Sequence, residues 1–244
     1  MTAEIETLSV WLGEAKRGVF FGGAGVSTES GIPDFRSDTG IYKKKYDYPA
    51  ETMLSHSFYE HKTEEFFDFY KNVMLYPDAQ PNAAHETLAQ LERDGHIAAC
   101  VTQNIDGLHQ KAGSRRVYEL HGSVLRNYCE KCRTFYDLDY IIDANGVPKC
   151  AKCGGRVKPD VVLYEEGLDN DTVNGAVRAI RQADLLIVGG TSLNVYPAAG
   201  LIDYYRGNRL VLINLQPTPY DDRADLVIHE KLGKVLTEAY GGLQ

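Results

Sequence analysis

Two rhythms of apolar residues run along the chain. Residues 4–17 place Ile5, Leu8 and Leu12 at helical spacing, which predicts an opening helix. The compact run Val19-Phe20-Phe21 then predicts a strand over 18–21. Short, nearly continuous apolar runs recur at 97–102, 116–120, 161–163, 185–188, 210–213 and 226–228, and each reads as a strand. Helical stretches are predicted between them. The first, 57–76, is rich in aromatics (Phe58, Tyr59, Phe66, Phe67, Phe69, Tyr70). Others fall at 82–94, 169–182, 197–206 and 230–240. Strands alternating with helices imply an α/β fold with a mostly parallel sheet covered on both faces. From 127 to about 159 the rhythm fails, and little periodic structure is expected there.

The polar and glycine-rich segments sit where strands end. Residues 22–36, 103–106, 121–122, 189–194 and 214–216 each follow a predicted strand directly. Parallel sheets bind ligands beyond the carboxyl ends of their strands, so these segments are expected to share one rim. Gly22 to Arg36 reads GGAGVSTESGIPDFR. Glycines at a strand end let backbone approach a phosphate, because no Cβ intervenes. Gly31-Ile32-Pro33 then breaks regular structure and delivers Asp34, Phe35 and Arg36. A phosphate cradle followed by an acid, an aromatic and a base suggests a loop that holds a nucleotide and also reacts with it. Thr28 stands where a third dinucleotide-binding glycine would come, which argues against a dehydrogenase.

Gln103-Asn104-Ile105-Asp106 puts two amides and a carboxylate at another strand end. Such residues are common in turns, but buried amides there would orient a ligand. His121 is a candidate general base at neutral pH, although a lone histidine is more often structural. Gly189-Gly190-Thr191-Ser192 forms a second small-residue loop, suited to phosphate or to a plain tight turn.

Cys129-x2-Cys132 and Cys150-x2-Cys153, separated by 17 residues, have the spacing of a four-thiolate zinc site. Four thiolates leave no open position, so the metal is expected to be structural. A nucleic-acid-binding zinc ribbon is the competing reading; no basic, aromatic patch surrounds the cysteines to support it. Cys100, in an apolar run, is expected to be a small core residue. With 26 Lys and Arg against 34 Asp and Glu, the net charge is −8, which disfavours a broad nucleic-acid face. It is compatible with basic peptide partners, while Lys43-Lys44-Lys45 is a brief basic run expected to be solvated. No 18-residue apolar run and no basic-then-apolar start is present, so a cytoplasmic protein without a membrane span is expected. A monomer is expected, since no long apolar surface pattern stands out.

GAGxSxxSGIPDFR, TQNID, HG, the two CxxC pairs, PDVVxY and GTSLxVxP occur in the order of the sirtuin family. From about residue 10 to 235 the chain resembles a short, single-module sirtuin, an NAD-dependent protein-lysine deacylase. The resemblance implies a Rossmann-like large part (1–40, 78–126 and 160–244), a helical insertion at about 41–77 and a zinc module at about 127–159. It implies NAD as co-substrate, one structural zinc ion, and acyl-lysine proteins or peptides as partners. Ala24, Thr28 and Arg36 would lie on the pyrophosphate and ribose side, with Phe35 shielding the nicotinamide side of the ribose. Gln103, Asn104, Ile105 and Asp106 would line the nicotinamide pocket, Asp106 on the carboxamide, with His121 the base. Thr191, Ser192, Asn214 and Leu215 would hold phosphate, ribose and adenine, and Lys231 and Leu232 would make the last adenine contact. Val161, Leu193 and Val195 would bracket the peptide as an added strand.

The chain departs from the family at two places. The usual phenylalanine-glycine-glutamate after the PxVV strand reads Leu163-Tyr164-Glu165-Glu166. The Tyr-x-x-Arg pair of desuccinylating members has its nearest counterpart in Tyr70-Lys71-Asn72-Val73, with valine in place of arginine. A carboxylate-bearing acyl chain would lack its bidentate partner, so neutral acyl groups are expected to be preferred. The rivals are an ADP-ribosyltransferase on the same scaffold and a zinc-ribbon module whose sheet merely binds.

Overall fold

The computed structural model describes residues 2–35, 37, 40–43 and 46–243. Nine helices appear among them: α1 (Ala3–Glu14), α2 (Ala50–Met53), α3 (His56–His61), α4 (Thr63–Phe69), α5 (Ala83–Arg93), α6 (Leu108–Lys111), α7 (Leu138–Asp143), α8 (Asn170–Gln182) and α9 (Leu232–Gly241). The strands are β1 (Gly18–Gly22), β2 (Ile97–Thr102), β3 (Val117–Glu119), β4 (Gly122–Cys129), β5 (Phe135–Tyr136), β6 (Val157–Val161), β7 (Leu185–Gly189), β8 (Leu210–Ile213) and β9 (Leu226–Ile228).

Six strands form one sheet in the order β3-β2-β1-β7-β8-β9, and every pairing in it is parallel. This is the doubly wound Rossmann-like order, whose connections reverse direction between β1 and β7. Alternation along β1 explains the two layers. Phe20 points to a core shared with α1, α5 and α9 through Leu8, Leu88 and Val235. Val19 and Phe21 point to the opposite core, which holds Ile180 of α8 and Ala198, Leu201 and Ile202 of a 3₁₀ segment at Ala198–Tyr204. Sequence periodicity predicts an α-helix over 197–206, and the chain instead takes that tighter winding.

Register sets the strands level. Gly22 lies beside Thr102 and Gly189, Thr102 beside Glu119, and Gly189 beside Ile213. Five loops therefore leave the sheet at one height, as the sequence pattern implies.

A second, three-stranded sheet, β5-β4-β6, is antiparallel. It occupies the cysteine segment, where little periodic structure is expected from sequence. The strand expected over 161–163 ends earlier: Val162 N–H donates to the His121 carbonyl and Leu163 N–H to a Glu166 carboxylate oxygen. The aromatic stretch 57–76 is helical, as its spacing predicts, but in separate pieces. It breaks at Lys62, between α3 and α4, and closes in a π-helical turn at Tyr70–Met74. Its Tyr59, Phe66, Phe67 and Tyr70 form a third core with Ile141, Val157 and two of the cysteines.

Candidate active site

The reversal between β1 and β7 brings two glycine loops together. Gly25 N–H donates to the Gly190 carbonyl at 2.8 Å, and Gly23 N–H to the Gly189 carbonyl at 3.3 Å. A Cβ on Gly25 would lie 2.8 Å from Gly190 Cα, so the two backbones touch where any side chain would part them. Gly190 also has φ +62°, the left-handed region that favours glycine. Beside this contact Thr191 N–H donates to Asn214 Oδ1 at 3.0 Å. Asn214 Nδ2 is buried with no partner among the described residues, a donor that a bound nucleotide would satisfy. The bare glycine backbone and this orphaned amide fit the phosphate-bearing end of NAD.

Next along the rim, Ser27 Oγ donates to Asp106 Oδ2 at 2.7 Å and accepts from Asn104 Nδ2 at 3.0 Å. Leu108 N–H donates to Asp106 Oδ1 at 2.9 Å, which fixes the carboxylate from its other side. Ser27 and Asn104 are buried, so serine, amide and acid form a rigid polar cluster. Ser27 is the member that sequence reasoning left without a role, although it occupies the serine of the GAGxS string.

His121 sits in the turn between β3 and β4. Its Nδ1 lies 2.9 Å from the Gln103 carbonyl. A carbonyl only accepts, so Nδ1 carries the hydrogen and Nε2 presents a lone pair. Burial lowers the imidazole's pKa below its ordinary value, and the Gln103 contact only partly opposes this. The ring is therefore neutral at pH 7 and able to take a proton at Nε2. Gln103 reaches further: its N–H donates to the Gly22 carbonyl and its Nε2 to Thr191 Oγ1 at 3.1 Å. One residue thus spaces the histidine from both glycine loops.

A cleft of about 450 Å³ opens nearby, with Ser55, Tyr164, Glu165, Asn194, Val195 and Tyr196 among its lining residues. Val195 reaches it. Leu193 is instead buried in the sheet core at φ +55°, and Val161 is buried opposite Gly122. Gly122 has φ +76°, and a Cβ there would overlap the Asp160 carbonyl.

The other expected contacts are scattered in exposure. Phe35 is half-buried and meets the Tyr42 ring edge-on at 5.5 Å. Ala24 and Ile105 are half-buried, while Thr28 is exposed and donates to the Gly25 carbonyl. Ser192 and Leu215 are exposed. Lys231 is the exposed cap of α9, and Leu232 is packed inside the α1–α5–α9 core. Arg36 lies outside the described residues, as do Lys44 and Lys45.

The cysteines converge away from this rim. All four Sγ atoms lie within 4.8 Å of one another, with Cys129–Cys153 at 3.5 Å, Cys132–Cys150 at 3.6 Å and Cys132–Cys153 at 3.3 Å. A tetrahedral zinc with sulfurs at about 2.3 Å needs edges of about 3.8 Å, so the set fits the ion. Cys100 is elsewhere, fully buried, and burial pushes its thiol up to about 12. Among the described residues no helix is long and apolar enough to cross a membrane.

Known proteins resemble this chain in sequence and in fold. A protein from Clostridium acetobutylicum named NAD-dependent protein deacetylase is 60% identical over 236 residues, 96% of each chain. One of the same name from Staphylococcus aureus is 43% identical over 238 residues, 97% of this chain and 98% of its own. A solved structure described as "Sir2-p53 peptide-NAD+" superposes with a TM-score of 0.87 at 38% identity, covering 100% of both chains. Another, of a Sir2 enzyme, gives 0.90 at 39% identity over 100% of this chain and 98% of that one. The model of the Sir2 family matches residues 23–197, and with relatives aligned nearly end to end the chain belongs to that family.

Proposed function

We propose that the protein is an NAD-dependent protein-lysine deacetylase yielding nicotinamide, free lysine and O-acetyl-ADP-ribose. The observation that carries this reading is His121, held by Gln103 with its Nε2 lone pair free, on the same rim as the glycine cradle. When bound, NAD supplies an electrophilic ribose carbon that the acetyl oxygen attacks as nicotinamide departs. Ala24, Thr28 and Arg36 would face the pyrophosphate and its ribose, and Thr191, Ser192, Asn214 and Leu215 the adenosine half. The Ser27–Asn104–Asp106 cluster would grip the carboxamide, with Ile105 and Phe35 excluding water. His121 then takes a proton at Nε2 from a ribose hydroxyl, and the Gln103 carbonyl steadies the resulting imidazolium. The substrate peptide would lie in the cleft by Val161 and Val195 as an added strand. The four cysteines would hold a zinc ion with its coordination closed, so the metal organises the small sheet and takes no part in the reaction.

Val73 is half-buried in the aromatic core beside Tyr70, and no guanidinium stands at that position. Neutral acyl groups should therefore turn over faster than succinyl groups. Mass spectrometry of products from NAD and an acetyl-lysine peptide tests the main reading. O-acetyl-ADP-ribose must form, and only with peptide present. Nicotinamide release without acetyl-lysine would instead favour ADP-ribosyl transfer.

A further inference from the structure

We propose that Glu165 selects substrates by charge: its carboxylate pairs with a lysine or arginine that lies within three residues of the acyl-lysine. The inference deepens the deacetylase reading above and rests on it.

Glu165 holds a backbone conformation that its residue type disfavours. Glu166 N–H donates to the Leu163 carbonyl at 3.0 Å, closing a four-residue turn. Glu165 takes the third place in that turn, at φ +75°. A third turn residue with positive φ is ordinarily glycine. Glycine is also what the family string phenylalanine-glycine-glutamate carries between the residues matched by Tyr164 and Glu166. A side chain kept at a disfavoured backbone position points to a use for that side chain.

Ser57 aims the carboxylate. Its N–H and its Oγ both donate to Glu165 Oε2, at 2.9 and 2.6 Å. Glu165 Oε1 has no hydrogen-bond partner among the described residues. The Ser57 bonds hold the carboxyl below its ordinary pKa, with His56 adding to the effect, so Glu165 is ionised at pH 7. The next residue is held differently. Glu166 accepts from Leu163 N–H, and it pairs with Lys158 Nζ at 3.2 Å and His56 Nδ1 at 2.9 Å. The cations of this corner therefore turn to Glu166, and none pairs with Glu165 among the described residues.

Glu165 is exposed and lines the cleft assigned to the peptide, together with Asn194, Val195 and Tyr196. No lysine or arginine is among the described residues that line it. A peptide laid there as an added strand brings the side chains flanking its acyl-lysine to the cleft wall. A cation among them meets a fixed negative charge, and an acid in the same place is repelled.

Fluorescence anisotropy with labelled acetyl-lysine peptides tests this. Lysine, alanine or glutamate is placed in turn at each of the three positions on either side of the acetyl-lysine. At one or two of these positions the wild type should bind the lysine peptide about two- to fivefold tighter than the alanine peptide, the scale of a partly exposed ion pair. The glutamate peptide should bind more weakly there, and about 0.5 M salt should shrink the difference. Glu165→Gln should lose the preference and Glu165→Lys should reverse it, both with melting temperatures near that of the wild type. A wild type indifferent to charge at every position would overturn the proposal. So would a preference that Glu165→Gln retains, since the chain's net charge of −8 would then be its source. The same peptides are assayed with NAD for O-acetyl-ADP-ribose. No product from any of them removes the deacetylase reading and the role of Glu165 with it; product formed without charge preference removes only the role of Glu165.

Discussion

Acid should unfold this protein through two buried imidazoles. His85 and His109 are 0% and 1% exposed, and their rings meet edge-on at 4.9 Å. His85 Nδ1 accepts from Asn82 N–H at the start of α5, while its Nε2 and both His109 nitrogens have no partner among the described residues. Burial opposes a charge on either ring. It takes His85 down to about 4, against a partial pull upward from Asp106. It takes His109 to about 3, with the neighbouring His85 adding to the effect. Unfolded histidines titrate near 6.5. Below that pH the unfolded chain binds two more protons than the folded one, so stability falls as pH falls. At about 1.4 kcal/mol per pH unit per proton, going from pH 7 to 5 removes roughly 1.8 kcal/mol per ring, about 3.5 kcal/mol for the pair. That is a large share of the 5–15 kcal/mol by which domains are ordinarily stable. Urea unfolding at pH 7 and 5, followed by the fluorescence of Trp11, measures it. His109→Gln removes one titrating ring and should halve the loss. A wild-type loss below about 1 kcal/mol, or a His109→Gln protein with the full pH dependence, would refute the reasoning.

The His121 pKa lies below 6.5, so kcat/KM should hold more than half its pH 8 value at pH 6.5 and drop only in more acid solution; a midpoint above 7 contradicts the burial argument. Ser27→Ala leaves the Asn104 amide without its acceptor and Asp106 Oδ2 without its donor, and should lower kcat/KM about 5- to 100-fold with the fold intact by circular dichroism. Gly122→Ala forces a Cβ into the Asp160 carbonyl at a left-handed φ, and should cost about 2 kcal/mol or more in urea unfolding. A strong chelator, or Cys132→Ser, should lower the melting temperature and abolish deacetylation, because Cys129 and Cys150 share the aromatic core of the insertion; an unchanged melting curve after metal removal counts against a structural ion.

The sheet was readable because its strands are short apolar runs, the central ones buried on both faces. The apolar runs 97–102, 210–213 and 226–228 coincide with β2, β8 and β9 residue for residue. Short stretches of that kind need no partner to be recognised, and their level ends explain why motif after motif followed a strand. The small sheet was hidden for the converse reason. β4 contacts β6 across the intervening cysteine segment, and its side chains answer to a metal site and a neighbouring core rather than to one simple alternation. Lys62 interrupts the aromatic helix at φ −134°, a break that composition does not announce. Within the site, His121, Asn104 and Asp106 stood out by type and place. Ser27 did not, since a serine in a glycine loop looks like turn chemistry until its hydroxyl is seen between an amide and an acid. Leu193 shows the opposite limit: its backbone turns that side chain into the core and leaves Asn194, Val195 and Tyr196 on the cleft, which residue type alone does not reveal.

The central position of β1 bears on how the chain is made. Gly18 pairs with Leu185 on one side and Ile97 on the other, so β1 cannot be completed until β7, made long after it, has left the ribosome. Until then Val19, Phe20 and Phe21 present an unpaired apolar edge, open to chaperones and to strands of other nascent chains. The two glycine loops meet only at that last pairing, so no truncated product can hold the nucleotide cradle. Activity in a translation reaction should therefore appear only after β7 and β8 have been released, and its delay behind chain completion would time the closing of the sheet.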